Sequence, residues 1–181
     1  AGKDYPGASA QMIDSGTVPA GRRKALLAAI ALLAAAAALI WLLFFERARV
    51  YGHSMEPALK DGETVVVDKL TYCFGKPERF DVIVFRSPLE EERYYMKRVV
   101  GLPGETVQIV DGRVFIDGVC LEEVPERERI TDARRAAKPV RLGALEYFVL
   151  GDNRNDSSDS RDSDIGNVTE EQIVGKVILR P

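Results

Sequence analysis

The sequence holds one histidine, His53, and that scarcity removes two chemistries at once. A zinc centre built on several histidines has no ligands to draw on. A serine hydroxyl activated by histidine would have to use His53, which stands next to Ser54. In an extended segment neighbouring side chains point to opposite faces, so His53 is badly placed to take the Ser54 proton. Cysteine is almost as sparse: Cys73 and Cys120 lie far apart and match no metal-ligand spacing, so two buried free thiols are the expectation. Basic charge is not in excess either. Against 28 Asp and Glu stand 25 Lys and Arg, a net charge of −3, so no basic field invites nucleic acid. No internal repeat or low-complexity tract is present.

What the sequence does have is a run of apolar residues from Ala25 to Phe45, free of charge, Gly and Pro. At about 1.5 Å per residue a helix of that length spans roughly 30 Å, the thickness of a bilayer hydrocarbon core. A cleavable secretory signal has an apolar core of only about 7–15 residues. The apolarity goes all the way round, unlike the one-sided stripe of a soluble surface helix, and Trp41 near the end suits a membrane interface. The chain is therefore expected to have a flexible tail over residues 1–23, a transmembrane anchor over 24–45 and a folded domain over 46–181. The tail starts without Met, and Met12 is a candidate natural start. Arg22, Arg23 and Lys24 crowd the near side of the span more tightly than Arg47, Arg49 and Lys60 crowd the far side. That count narrowly favours a cytoplasmic N-terminus, with the domain outside.

Beyond the anchor, short β-branched and aromatic runs predict strands at Thr64–Val67, Val82–Phe85, Tyr94–Val100, Thr106–Val110, Val114–Ile116, Tyr147–Leu150 and Val174–Leu179. Asp111-Gly112 and Asp117-Gly118 sit between such runs at hairpin spacing. Residues 122–138 are densely charged and read as a mobile or surface excursion. Thr169-Glu170-Glu171-Gln172 is suited to cap a single helical turn. The expected fold is mostly β, a compact antiparallel domain on one N-terminal transmembrane helix, with a monomer as the expected state.

With histidine set aside, a base for a serine nucleophile must be Lys, Asp or Glu. A lysine serves only if burial lowers its pKa from about 10.4 towards neutrality. Lys97 lies in Tyr94-Tyr95-Met96-Lys97-Arg98-Val99-Val100, a run apolar enough to desolvate it while Arg98 points the other way. Spacing alone favours the other reading of Lys97, a solvated residue on the face of a strand. Three longer stretches narrow the choice. Gly52-His53-Ser54-Met55-Glu56-Pro57-Ala58-Leu59 just after an anchor resembles the nucleophile box of bacterial type I signal peptidases. Lys97-Arg98-Val99-Val100-Gly101-Leu102-Pro103-Gly104-Glu105 is similar to the lysine box of that family. Gly151-Asp152-Asn153-Arg154-Asn155-Asp156-Ser157-Ser158-Asp159-Ser160-Arg161 is similar to its C-terminal box, and Phe80–Phe85 to the strand between. The resemblance covers the chain from the span to Pro181.

That resemblance implies a membrane-bound serine endopeptidase that removes signal peptides from exported preproteins at Ala-x-Ala sites, in a bacterial cell membrane. It implies Ser54 as nucleophile, Lys97 as general base, and Ser157 as the hydroxyl that orients the lysine amine. Asp159 and Arg161 would form a charged pair shaping the site, with Asp152 and Arg154 bracing the same loop. The oxyanion hole would use the Ser54 backbone N–H. Gly52 stands where some members carry a serine donor, as is familiar in Gram-positive members. Met55, Leu59, Tyr95 and Met96 are candidates to line shallow pockets that admit only small residues. Preprotein signal peptides and membrane lipid are the implied partners, and no cofactor is. The aspartates from Asp152 to Asp164 fail the calcium-loop spacing in both registers, since Ser157 or Arg161 falls where Gly is required. Two alternatives stay open: a self-cleaving repressor-type Ser-Lys protease, against which the anchor speaks, and an inactive membrane-tethered β domain.

Overall fold

The computed structural model describes residues 20–90, 93–123 and 127–178, so most of the expected tail, and Leu179, lie outside the described residues. The chain divides after Leu39 into two units. Helix α1 (Ala20–Phe44) starts four residues before the expected anchor and stops one residue short of its end. Its Gly21–Phe44 segment is long and apolar enough to cross a membrane. Leu26, Leu27, Leu32 and Leu33 project outward, which in water alone would be a large apolar exposure.

The second unit is built on a seven-stranded antiparallel sheet. Its members are β1 (Phe45–Arg49), β2 (Thr64–Asp68), β3 (Val82–Arg86), β4 (Tyr94–Gly101), β9 (Glu146–Leu150), β10 (Val168–Thr169) and β11 (Ile173–Ile178). They run in the order β1-β2-β11-β3-β4-β9-β10. A smaller sheet in the order β7-β6-β5-β8 comprises β5 (Thr106–Val110), β6 (Arg113–Ile116), β7 (Val119–Cys120) and β8 (Val140–Arg141). Both Asp-Gly pairs make the tight turns their spacing predicts. Asp111 and Gly112 take φ of 49° and 75°, and Asp117 and Gly118 take 48° and 83°, the left-handed values that suit two-residue hairpins.

The larger sheet is covered on both faces, which explains the unbroken apolarity of β3. Val82 and Val84 enter one cluster with Met55, Leu59, Val65, Val67 and Val177; Ile83 and Phe85 enter another with Val99, Tyr147 and Val149. Each such fully buried side chain contributes roughly 1.5–3 kcal/mol. A third cluster joins Val100, Leu150 and Phe148 to Val107, Ile109 and Val114 of the smaller sheet. The crossing point is Gly101, where a Cβ would lie 2.5 Å from Val107 Cγ2 and 2.8 Å from Leu142 Cδ1.

Three expectations need correction. Residues 127–138 do run over the surface, one of the two expected readings, but they are rooted in the core: Ile130 and the fully buried Ala136 belong to the third cluster, and Arg134–Ala137 form a 3-10 turn. The thiols of Cys73 and Cys120 are free as expected, but Cys73 is exposed and Cys120 half-buried. Chain immediately after the anchor, expected only as a charged flank, is strand β1, paired with β2 from Phe45↔Asp68 to Arg49↔Thr64. The Thr169 capping box does close a single turn, over Glu170–Gln172.

Candidate active site

Ser54 sits in the connection between β1 and β2, whose ends are held together by backbone bonds from Val50 N to Glu63 O (2.8 Å) and Gly62 N to Val50 O (2.9 Å). Gly52 takes φ +83°, which turns the chain sharply before the serine, and its N–H donates to Asp61 Oδ1 at 2.8 Å. Directly after it, Met55 and Leu59 are driven into the core, each 1% exposed, and Leu59 N donates to Met55 O at 2.9 Å. A serine flanked by a tight turn and an apolar plug has little freedom to move. Its carbonyl accepts from Asn153 N at 3.1 Å, and Asn153 Nδ2 donates to His53 O at 3.3 Å. Among the described residues the Ser54 backbone N–H has no acceptor.

Lys97 comes from β4, where it pairs with Ile83 of β3. Its Nζ lies 2.8 Å from Ser54 Oγ, the two side chains meeting across 43 residues of sequence. Lys97 is 3% exposed. Burial pushes its amine down from an ordinary 10.5 to about 8, against the opposing pull of the Asp159 and Asp152 charges. An amine at that value supplies a useful fraction of free base at neutral pH. His53 is turned elsewhere: its Nδ1 lies 3.0 Å from Glu56 Oε1, and this exposed pair raises the histidine pKa.

The C-terminal loop closes over this pair through buried ions. Asp152 receives two of the three Arg98 nitrogens, Nε at 2.7 Å and Nη2 at 2.6 Å, and also Arg127 Nη2 at 3.2 Å. Arg161 grips Asp159 through Nε at 2.8 Å and Nη2 at 2.9 Å, both side chains almost wholly buried. Asp159 Oδ2 in turn accepts from Gly151 N at 3.1 Å. Arg154 donates from Nε to Gly151 O at 3.0 Å and holds Glu123 through its two terminal nitrogens. Fully desolvated pairs of this kind are a poor source of net stability, but removing one partner strands a buried charge, so they fix geometry.

Ser157 lies beside the pair and is buried, yet its hydroxyl has no hydrogen-bond partner. The hydrogen bond expected between Ser157 and Lys97 is thus not made in this arrangement, in which the Lys97 amine contacts Ser54. A cleft of about 480 Å³ is lined by Ser54, Met55, Tyr95, Met96, Lys97 and Ser157 among others. Tyr95 and Met96 also line an adjoining hollow of about 600 Å³ floored by Ala48, Val67 and Val84. Of the four pocket candidates, Leu59 lies in the core behind Met55 and lines neither cavity. Among the described residues no group of His, Cys, Asp and Glu could hold a metal ion. Sequence reasoning missed Arg127, Glu123 and Asn153, whose partners are distant in sequence and follow no local pattern.

Comparison with known proteins places this geometry in context. A family model described as signal peptidase, peptidase S26, matches residues 23–180. Signal peptidase I of Bacillus amyloliquefaciens is 35% identical over 162 residues, covering 84% of this chain and 79% of that relative. Signal peptidase I T of Bacillus subtilis strain 168 is 36% identical over 157 residues, covering 81% and 79% respectively. A crystal structure of a signal peptidase I from Enterococcus faecalis V583 is 35% identical with a TM-score of 0.47, covering 56% of this chain and 97% of that one.

Proposed function

Given that this chain belongs to the signal peptidase I family, peptidase S26, serine endopeptidases that remove signal peptides from exported preproteins, we propose that Ser54 is its nucleophile and Lys97 its general base. The observation that carries this assignment is the 2.8 Å approach of the buried Lys97 amine to the Ser54 hydroxyl. Neutral Lys97 takes the hydroxyl proton as Ser54 Oγ attacks the scissile carbonyl. The resulting ammonium returns that proton to the departing amine, leaving an acyl ester on Ser54. Water then attacks the ester, Lys97 again accepting a proton. The free Ser54 N–H stabilises the oxyanion, while the Gly52 N–H is already committed to Asp61. Ser157, Asp159, Arg161 and Asp152 act by holding this pair and its loop.

The substrate adds as a strand. β3 pairs along Tyr94–Arg98, whereas β9 meets β4 only at Arg98, Val99 and Gly101. The far edge of Tyr94–Lys97 therefore carries no strand among the described residues, and its backbone groups are free to bind an extended peptide. Side chains one and three places before the cut share one face of the added strand, where the bulk of Met55 and Met96, packed in one cluster, favours alanine, while Tyr95 stands on the other face of β4.

Helix α1 anchors the enzyme in the membrane. We place the N-terminus on the cytoplasmic side and the β domain outside, on the charge asymmetry around the span. The enzyme acts as a monomer beside lipid in a bacterial cell membrane, with the domains bounded at 1–23, 24–45 and 46–181. Incubating the full chain in detergent micelles with an Ala-x-Ala preprotein, and sequencing the product N-terminus, tests this reading. A single cut after the second alanine is expected, stopped when that alanine becomes phenylalanine. Cutting elsewhere, or indifference to phenylalanine, would refute the substrate assignment.

A further inference from the structure

Ser157 combines a buried, unpartnered hydroxyl with a place in the wall of the catalytic cleft, so what fixes its position bears on the reaction. Its side chain is wedged against the chain opposite: a Cβ on Gly151 would lie 2.2 Å from Ser157 Oγ and 2.5 Å from the Ser54 carbonyl oxygen. With so little clearance, the direction of the hydroxyl follows the backbone of Ser157. Two guanidinium groups hold that backbone by its carbonyl, Arg134 Nη1 at 3.2 Å and Arg161 Nη2 at 3.4 Å. Arg161 belongs to the same loop. Arg134 comes from outside it, on a segment rooted in the core by Ile130 and Ala136.

The other contacts of Arg134 point the same way. Its Nη1 reaches both carboxylate oxygens of Asp162 at 2.7 Å, and Asp162 Oδ2 accepts from Asp159 N at 3.2 Å. One side chain thus ties the start of the 157–162 loop to its end. Arg134 itself is held at φ +47°, a conformation a non-glycine residue keeps only when its surroundings impose it. Asp132 supplies part of that, accepting the Arg134 N–H at 2.9 Å. Arg134 is also among the residues that line the cleft containing Ser54 and Lys97.

We propose that Arg134 is a positioning residue for peptide-bond cleavage, acting through Ser157 by fixing the carbonyl and hence the direction of its hydroxyl. The proposal rests on the assignment of Ser54 and Lys97 above. It adds a residue from the charged 122–138 stretch, outside the three boxes that carry the resemblance. The Ser157 oxygen stays where Arg134 helps to hold it, and only its hydroxyl hydrogen turns to serve the Lys97 amine during the proton transfers.

The test is a double-mutant cycle on the full chain, measuring kcat and KM for an Ala-x-Ala preprotein. Arg134→Met is expected to lower kcat about tenfold with KM within about twofold of the parent, and to have no further effect in a Ser157→Ala background. Arg134→Lys, which keeps a cation beside Asp162, is expected to recover part of the loss. It also replaces the Met variant in the cycle should that one fail to fold. Equal losses in both backgrounds would overturn the proposal in favour of a purely structural role. A change confined to KM would overturn it in favour of substrate contact. Full activity of Ser157→Ala would overturn it while leaving Ser54 and Lys97 untouched, since those stand or fall with their own variants.

Discussion

If Lys97 is the base, the rate of cleavage must follow its free amine. Burial brings that amine from 10.5 to about 8. At pH 7 about a tenth of it is then unprotonated, against about one part in 3,000 for an ordinary lysine, roughly a 300-fold gain in usable base. The rate constant kcat/KM should rise nearly tenfold between pH 6 and 7 and level off above about pH 8.5. The same displacement appears in stability with a definite sign. The folded state disfavours the charged amine, so its penalty is complete below pH 8 and disappears as pH rises from 8 to 10.5. That penalty is about 3 kcal/mol at pH 7. Replacing Lys97 by the uncharged, similarly shaped Met should therefore raise Tm at pH 7 by roughly 5–10 °C, and the difference should vanish near pH 10.5. The measurements are initial rates of preprotein cleavage and thermal melts of both proteins across pH 6–10.5 in the same detergent. An inflection near 10.5, a flat profile, or a Lys97→Met protein less stable at pH 7 would refute the reasoning.

Other outcomes follow from the loop geometry. Gly151→Ala puts a methyl group 2.2 Å from Ser157 Oγ and 2.5 Å from Ser54 O; kcat should fall about 100-fold, because displacements of about an ångström at reacting groups cost that much. Steady-state kinetics with an unchanged kcat would contradict it. Arg98→Ala leaves the fully buried Asp152 with Arg127 alone, and denaturant titration should show a loss of about 3–5 kcal/mol. A loss under about 1 kcal/mol would mean that Arg127 or water neutralises Asp152 unaided.

Legibility from sequence followed the physics of each element. The anchor was plain because α1 is apolar on every side, and the hairpins because Asp111-Gly112 and Asp117-Gly118 suit positive φ at both turn positions. Strand β1 was hidden by Glu46, Arg47 and Arg49, which an edge strand tolerates since its outer row faces solvent. Strands of two residues, β7, β8 and β10, are too short to show any period. The 122–138 stretch misled for a different reason. Its charges looked solvated, yet Arg127, Arg134 and Arg135 meet Asp152, Asp162 and Asn167, partners at least 25 residues away. The meeting of Ser54 with Lys97 was legible through the boxes around them. Which hydroxyl or carboxylate each neighbouring group would meet depended on long-range packing and was not.

The central claim concerns which side chains perform the chemistry, and one comparison addresses it directly: preprotein cleavage by Ser54→Ala, Lys97→Ala and His53→Ala, each at full length and each checked for folding. The account predicts no cleavage by the first two and near-parental rates from the third, because His53 is bound to Glu56 and does not touch Ser54. Cleavage that survives the loss of Ser54 or Lys97, or is abolished by the loss of His53 alone, would contradict it.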